Sequence, residues 1–533
     1  MKKYLLPTFT VLAVSLGIVI GVALSQQANA QRIVYQNGQW HIEQSKVDRL
    51  LQLMDQAYVD SINMDSITDE VMTELVQKLD PHSAYIPKED LEMVNSELAG
   101  SFSGIGVQFT IQQDTVRIVA VIAGGPSEGI GVLAGDKLVL VDDSCFTGKK
   151  MNNEKVMKTL RGEKGTQVKL GILRAGSPDI LTFNVTRGDI PVNSVDAKFI
   201  IDSKIGFIRV NKFGETTYKE FINALADLSS KGATSFIIDL RENSGGYMEQ
   251  AIKMANEFLQ RGDMIVYSKG RAYPKYEAVA NGAGRFKETP IVVLIDDFSA
   301  SASEIFAGAM QDNDRAQIVG RRSFGKGLVQ QQLPFDDGSA VRLTVARYYT
   351  PSGRCIQKPY TMGDQDDYQK DLMERFEHGE FFSADSVHFA DTTTYRTKNG
   401  RIVHGGGGIM PDVFVGRDTT LNSVWYNKCV NLAYTYQFAY KYTDEHRKEL
   451  SKFKDWQSLE KHLLKQNVIP QFVAFAKEKG VEPDEAQIQK SRPLMTRLLN
   501  AYIVRNILGD EGFFPLFERD DEITRKAIEV LSE

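Results

Sequence analysis

The chain has 533 residues, enough for three or four domains of about 150 residues each, and its 42% hydrophobic, 25% charged composition is that of an ordinary globular protein. A formal net charge of −6 with no basic run of five or more argues against a nucleic-acid partner. Cys145, Cys355 and Cys429 have neither disulfide-framework nor metal spacing, and the histidines show no H-E-x-x-H pattern, so neither a metal nor a cofactor is expected.

At the start, Lys2-Lys3 precedes an apolar stretch from Leu5 to Leu24, then Ser25-Gln-Gln27 and Ala28-Asn29-Ala30. A positive end, an apolar core and an A-x-A site predict that residues 1–30 are a secretory signal peptide. About 20 apolar residues also suffice to span a bilayer, so an uncleaved membrane anchor stays open. Either reading exports the rest, to the periplasm or cell envelope. Residues 31–98 read as a helical lead-in: Val47, Leu50, Leu51 and Met54 recur at helical spacing, as do Met72, Leu75 and Leu79 before the Asp80-Pro81 break.

From 99 to 191 the texture changes to short strands and glycine turns. Val107, Phe109 and Ile111 alternate; Val116–Ile122, Ala134–Val141 and Val168–Leu173 follow. The loop Ser103-Gly104-Ile105-Gly106-Val107 resembles the carboxylate-binding loop of a PDZ domain. Successive backbone N–H groups there would hold a peptide's terminal carboxylate while the next strand pairs with the peptide. A plain glycine turn is the alternative.

Between 192 and 416 strands alternate with helices. Ile205–Val210 and Thr234–Asp239 read as strands, Glu220–Leu228 and Glu249–Leu259 as helices, and Pro290–Ile295 as a buried strand. Asp337-Gly338 marks a hairpin turn. The polar stretch from Met362 to Gly408, ending in four glycines, reads as a surface insertion or flexible loop. The region 417–533 is Lys/Glu-rich and helical, a packing or oligomerisation appendage without recognisable chemistry.

The chemistry concentrates in Ser299-Ala-Ser301-Ala-Ser303-Glu304 and Phe324-Gly325-Lys326-Gly327, 25 positions apart from Ser301 to Lys326. Ser301 falls at the mouth of a predicted helix, and a serine nucleophile needs a base. A lysine can serve if burial pushes its pKa down. The amide of Ala302 would sit at a helix N-terminus, where unpaired N–H groups favour a developing oxyanion.

These segments, with Gln311-Asp312 and Gln330, closely resemble the C-terminal processing (tail-specific) serine peptidases. Leu79-Asp-Pro-His-Ser83, Asp239-Leu-Arg-Glu-Asn-Ser-Gly-Gly246 and Ala346-Arg-Tyr-Tyr-Thr-Pro-Ser-Gly353 match that family in the right order, and the resemblance spans roughly residues 40–415. It implies a multidomain α/β protein: an α/β peptidase core with a preceding or inserted PDZ-like β domain, an N-terminal helical lead-in and a C-terminal helical extension. It implies an exported endopeptidase in which Ser301 attacks and Lys326 is general base. Gln330 would orient the lysine amine; a neutral amide suits, because a carboxylate there would raise the lysine pKa. Asp312 falls on the family's aspartate position, with a structural salt bridge as the alternative role. The oxyanion would be held by Ala302 and either Gly245 or Gly246. Substrates would be polypeptides captured by their C-termini at Gly104, Ile105, Gly106 and Val107. Adaptor proteins and a homo-oligomer stay open.

Two motifs are decoys. Gly125-Pro-Ser127-Glu-Gly129 matches the hydrolase elbow but lies within the short-strand region rather than on a large parallel sheet. Gly320-Arg-Arg-Ser-Phe-Gly325-Lys326-Gly327 approaches a P-loop but lacks the hydroxyl after the lysine and leads into strands. An ATPase and a non-catalytic PDZ scaffold are therefore the runners-up. His82 reads as a turn residue packing on a neighbouring element.

Overall fold

The computed structural model describes residues 32–36, 39–43 and 45–533, apart from 97, 113, 123, 175, 203 and 390; the expected signal peptide or anchor lies outside the described residues. The chain divides into two compact units, the first ending at Val76 and the second beginning at Gln77. In the first, strands β1 (Arg32–Gln36) and β2 (Gln39–Glu43) pair antiparallel. Helix α1 (Lys46–Ala57) opens under Ser45, whose hydroxyl accepts from the Asp48 N–H. Helix α2 (Met64–Gln77) follows.

The second unit begins with β3 (Ala84–Ile86) and α3 (Lys88–Ser96). A small β domain follows: β4 (Ser101–Gly104), β5 (Val107–Gln112), β6 (Thr115–Val121), β7 (Lys137–Val141), β8 (Ser144–Cys145), helix α4 (Asn153–Leu160), β9 (Gln167–Leu173), β10 (Ile180–Thr186) and β11 (Gly188–Pro191). Its sheet runs β10-β9-β7-β6-β5, leaving β5 on an edge, while β11 pairs with β4. Val156 and Leu160 of α4 close the core over Val116, Ile118, Leu138, Leu170 and Ile172.

The central sheet contains β12 (Val195–Asp202), β13 (Ile205–Val210), β14 (Ser235–Asp239), β17 (Ile291–Ile295), β18 (Gln317–Gly320) and β23 (Val413–Phe414), in that order, all parallel except β12. Helices α5 (Thr217–Ser230), α6 (Met248–Asn256) and α7 (Ala302–Asp312) cover one face. Strand alternation sorts the residues: Ile208, Ile238, Val293, Ile295 and Ile318 pack with Phe221, Met254 and Phe306, whereas Phe207, Ile237, Val292, Leu294 and Val319 point the other way.

That second face is closed by the end of the chain. After α8 (Gln365–Glu377) come α9 (Val424–Asn431), α10 (Tyr434–Leu450), α11 (Trp456–Gln466), α12 (Val468–Glu478), α13 (Glu485–Leu508), α14 (Asp510–Arg519) and α15 (Glu522–Ser532). Ile523 and Ala527 of α15 are buried on Phe207, Ile237, Val292 and Leu294. Helix α15 is therefore a layer of the central sandwich, packed on the sheet. Arg241, one strand end away from the glycine pair, locks the joint: its buried guanidinium donates to Asp239, to Glu518 at 2.6 Å and to Asp521 at 2.7 Å. Helix α10 also braces the small β domain, through Tyr440 Oη to the Val119 carbonyl (3.2 Å) and Arg447 to the Ala134 carbonyl (3.0 Å).

A second, antiparallel sheet, β16 (Tyr276–Val279), β15 (Met264–Lys269), β20 (Ala340–Tyr349) and β19 (Leu328–Pro334), carries β3 on β20. Gly338, at φ 94°, makes the β19–β20 turn. The stretch 362–408, read as a surface insertion or a flexible loop, is packed rather than a flexible loop. It contains α8, with Tyr368 buried, and the hairpin β21 (Thr394–Arg396) and β22 (Ile402–His404). Its glycine run is close-packed, since a Cβ on Gly408 would meet the Ser323 carbonyl at 2.6 Å. Among the described residues no helix is long and apolar enough to cross a membrane.

Candidate active site

Ser301 stands where β17 turns into α7, the crevice at the carboxyl end of a parallel sheet that α/β folds use for ligands. Its backbone is held at φ 55°, ψ −113°, outside the usual regions for a residue with a side chain. Ser299 and Ser303, the other serines of the segment, are fully buried and donate to the Leu240 and Asn243 carbonyls. Only Ser301 of the three retains exposure.

Glu304, on the first turn of α7, connects the Ser301 segment to the Lys326 loop. One carboxylate oxygen, Oε2, accepts from the N–H of Ser301 (2.8 Å) and of Lys326 (2.9 Å). The other accepts from the N–H of Gly325 (2.7 Å) and the Ser323 hydroxyl (2.6 Å). Complete burial pushes its pKa up to about 7, against the pull of those four donors. Tyr348 ties the same two segments from below, its buried hydroxyl lying against the carbonyls of Ser301 and Lys326.

Burial pushes the Lys326 amine below the ordinary lysine range, and the Arg342 guanidinium adds to this; Glu304 and Asp80 oppose it. The Asp80–Ser83 turn is thus part of the lysine's surroundings. Asp80 accepts from the Ser83 hydroxyl, the His82 N–H (2.9 Å) and the Thr344 hydroxyl (3.0 Å). His82 lies 2.9 Å from the Tyr368 hydroxyl, and burial plus the Lys326 charge push its pKa down to about 4, so its ring is neutral near pH 7. The histidine is a packing residue as expected, yet packed close enough to Lys326 to feel its charge. Gln330 is nearby on β19, but its amide donates to Thr344 Oγ1 at 3.2 Å; among the described residues it makes no hydrogen bond to the lysine amine.

The glycine pair lies directly beside Ser301. A Cβ on Gly245 would meet Ser301 Cβ at 2.7 Å, and one on Gly246 would meet the Phe213 carbonyl at 2.3 Å, both at positive φ. The Gly245 N–H is already given to Asn243 Oδ1 (2.9 Å). Among the described residues the N–H groups of Gly246 and Ala302 have no such acceptor.

Asp312 is not brought to this centre. It ends α7, eleven residues beyond Ser301, and is buried in an ion pair with Arg354 (2.7 Å) while accepting from the Ser352 hydroxyl (2.6 Å). The salt-bridge alternative is the one its surroundings match.

In the small β domain the Ile105 and Gly106 carbonyls are fixed by Ser127 and Ile122, and Gly106, at φ 78°, packs against Gly125. Gly104 closes β4, and Val107 opens the edge strand β5. Ser127 of the elbow decoy is fully buried and donates to Ile105, so it buttresses this loop. In the P-loop decoy, Arg321 and Arg322 are paired with Asp297 and Glu380, and the chain beyond Lys326 enters β19.

The profile of peptidase family S41 matches residues 204–369, a PDZ domain profile matches 103–186, and a family of unknown function matches 425–509. The chain is 36% identical over 334 residues to the carboxy-terminal processing protease CtpA of Bacillus subtilis, covering 61% of this chain and 71% of that protein. It is 35% identical over 347 residues to the carboxy-terminal-processing protease of Bartonella bacilliformis, covering 64% and 79%. Among solved structures it is similar to a photosystem II D1 C-terminal processing protease, with 25% identity, a TM-score of 0.37, and coverage of 70% of this chain and 88% of that one.

Proposed function

The chain belongs to the carboxy-terminal processing proteases of peptidase family S41, serine-type endopeptidases with a PDZ domain, and from that premise we propose that its chemistry is a Ser301–Lys326 dyad acting on polypeptides chosen by their C-terminal tails. The observation that carries the reading is the single Glu304 carboxylate that accepts from the N–H groups of both residues.

In this mechanism the neutral form of the Lys326 amine, which burial favours, takes the proton from Ser301 Oγ as the oxygen attacks the scissile carbonyl. The oxyanion that forms is received by the N–H groups of Gly246 and Ala302, the second at the N-terminus of α7. The Lys326 ammonium then protonates the leaving amine, and water hydrolyses the acyl-enzyme by the same route. Between the two glycines, Gly246 is favoured because the Gly245 N–H already serves Asn243. Gln330 would engage the lysine only by leaving Thr344, and Asp312 anchors the far end of α7 rather than touching substrate.

The loop Gly104–Val107 would hold the terminal carboxylate while β5, free on its outer edge, pairs with the tail. The Lys2–Ala30 segment supports export to the cell envelope.

The test uses a tail-bearing peptide and its C-terminal amide. Ser301→Ala and Lys326→Ala should each lower hydrolysis by roughly 10⁴-fold or more, without adding in the double variant. Amidation should weaken cleavage by roughly tenfold. Substantial turnover in Ser301→Ala would move the nucleophile elsewhere, and equal cleavage of the two peptides would remove tail capture.

A further inference from the structure

Strand β20 is flanked on one side by β19 along most of its length. Its other side is covered by β3 at Ala340–Arg342 and by β15 at Arg347–Tyr349. Between these two partners, residues 343–346 face no strand, and the Thr344 N–H is met by the Ser83 hydroxyl. This notch holds a cavity of 390 Å³, lined among others by Lys269, Arg271, Thr344, Arg347, Tyr349 and Tyr360.

The cavity adjoins the catalytic centre through two of its lining residues. Leu328, in its wall, lies two residues beyond Lys326. Thr344 receives the Gln330 amide.

Its charge is unbalanced. Lys269, Arg271 and Arg347 are all exposed, and among the described residues none is in an ion pair. The neighbouring carboxylate of Glu277, on β16, is already held by Lys275 at 2.6 Å. Three cations around one hollow repel one another unless an anion joins them, and a cleft lined by one sign concentrates the opposite one.

We propose that this notch is a substrate subsite that takes an acidic side chain, Asp or Glu, on the extended polypeptide passing the Ser301 centre. The proposal rests on the peptidase reading and adds a sequence preference to it. An acidic residue there would be held by charge-assisted hydrogen bonds from a lysine and two arginines. The preference should weaken as salt rises, since the three cations are exposed.

The experiment compares peptides with one free C-terminal tail, carrying Glu or Gln at each position flanking the scissile bond. At one flanking position Glu should exceed Gln in kcat/KM by roughly tenfold. Arg347→Gln, Lys269→Gln and Arg347→Glu should bring the ratio toward one, and the double variant Arg347→Glu/Lys269→Glu, which sets two carboxylates against Arg271 alone, should favour a Lys peptide over the Glu peptide, an outcome that a misfolded variant cannot give. Repeating the series with amidated tails separates a side-chain carboxylate from the terminal one: the ratio persists in the first case and vanishes in the second. The same labelled peptides are titrated onto Ser301→Ala by fluorescence anisotropy. Hydrolysis that failed in the parent protein would then count against the peptidase reading alone, and the binding ratio would still report on the subsite. Equal treatment of Glu and Gln at every position, or a ratio unmoved by Arg347→Glu, overturns the proposal.

Discussion

Replacing Glu304 by glutamine tests how the Ser301 and Lys326 segments are held together. The carboxylate accepts from four donors, two on each oxygen. An amide keeps one oxygen and presents an NH₂ in place of the other. With the NH₂ toward Ser323, that hydroxyl can rotate to accept, and the Gly325 N–H is left unpaired. Turned the other way, the N–H groups of Ser301 and Lys326 both lose their acceptor. An orphaned buried donor costs about 1–3 kcal/mol, so the variant should lose at least that much stability. The pH dependence is the sharper readout. Burial raises the folded pKa to about 7 from the ordinary 4.5. Stability linked to this proton is fully present below pH 4.5 and is lost as pH rises through about 7. The gap corresponds to roughly 3 kcal/mol. Urea midpoints should be followed from pH 4 to 8 in the Ser301→Ala background, which removes self-cleavage. The Glu304 protein should lose stability across this window relative to Glu304→Gln, whose side chain cannot ionise. Two parallel curves would refute the reasoning. In the active protein, Glu304→Gln should lower kcat/KM by up to about a hundredfold, the cost of a misplaced reacting group.

The remaining predictions concern the base and the C-terminal helices. Because only the neutral Lys326 amine accepts a proton, kcat/KM should rise with pH to an inflection below the ordinary 10.5 of a lysine; Arg342→Gln removes a charge that lowers this pKa, so it should move the inflection upward. An inflection that stays in place would show that Arg342 does not act on the base. Ile523→Ala, at a buried contact between α15 and the central sheet, should destabilise the peptidase core by about 2–5 kcal/mol in urea titrations. An unchanged midpoint would mean that the core folds without that helix.

The candidate dyad could be picked out because its signature is local: an apolar strand, a serine at a helix mouth and a lysine between glycines each occupy a few consecutive residues. Glu304 left a local trace too, since Ser301-x-x-Glu304 has the spacing of a capping box. That pattern predicts a carboxylate reaching back to the Ser301 N–H, but not the donors of Ser323, Gly325 and Lys326, which arrive from another loop. The choice between Gly245 and Gly246 depends on where the Asn243 amide points, a matter of tertiary hydrogen bonding. Asp312 was placed by correspondence with a family position, while its carboxylate is taken up by Arg354, 42 residues later, on one oxygen and by Ser352 on the other. The glycine run ending at Gly408 read as flexibility. Glycine also permits close backbone approach, and here Ser323 packs against it.

The C-terminal helices were the least legible part, though the strands carried an indication. Ile291-Val-Val-Leu-Ile295 is apolar at every position, the pattern of a parallel strand covered on both faces. The helices between successive strands, α5, α6 and α7, all fall on one face. Val292 and Leu294 therefore required a cover from elsewhere in the chain, and a helix with an apolar stripe was the suitable element. Ile523 and Ala527, four residues apart on α15, supply it. The same joint brings Glu518 and Asp521 onto Arg241, within the segment that ends in Gly245-Gly246. Removing the C-terminal helices would thus bare one face of the sheet and leave Arg241 with Asp239 alone, disturbing the strand end from which Gly245 and Gly246 project.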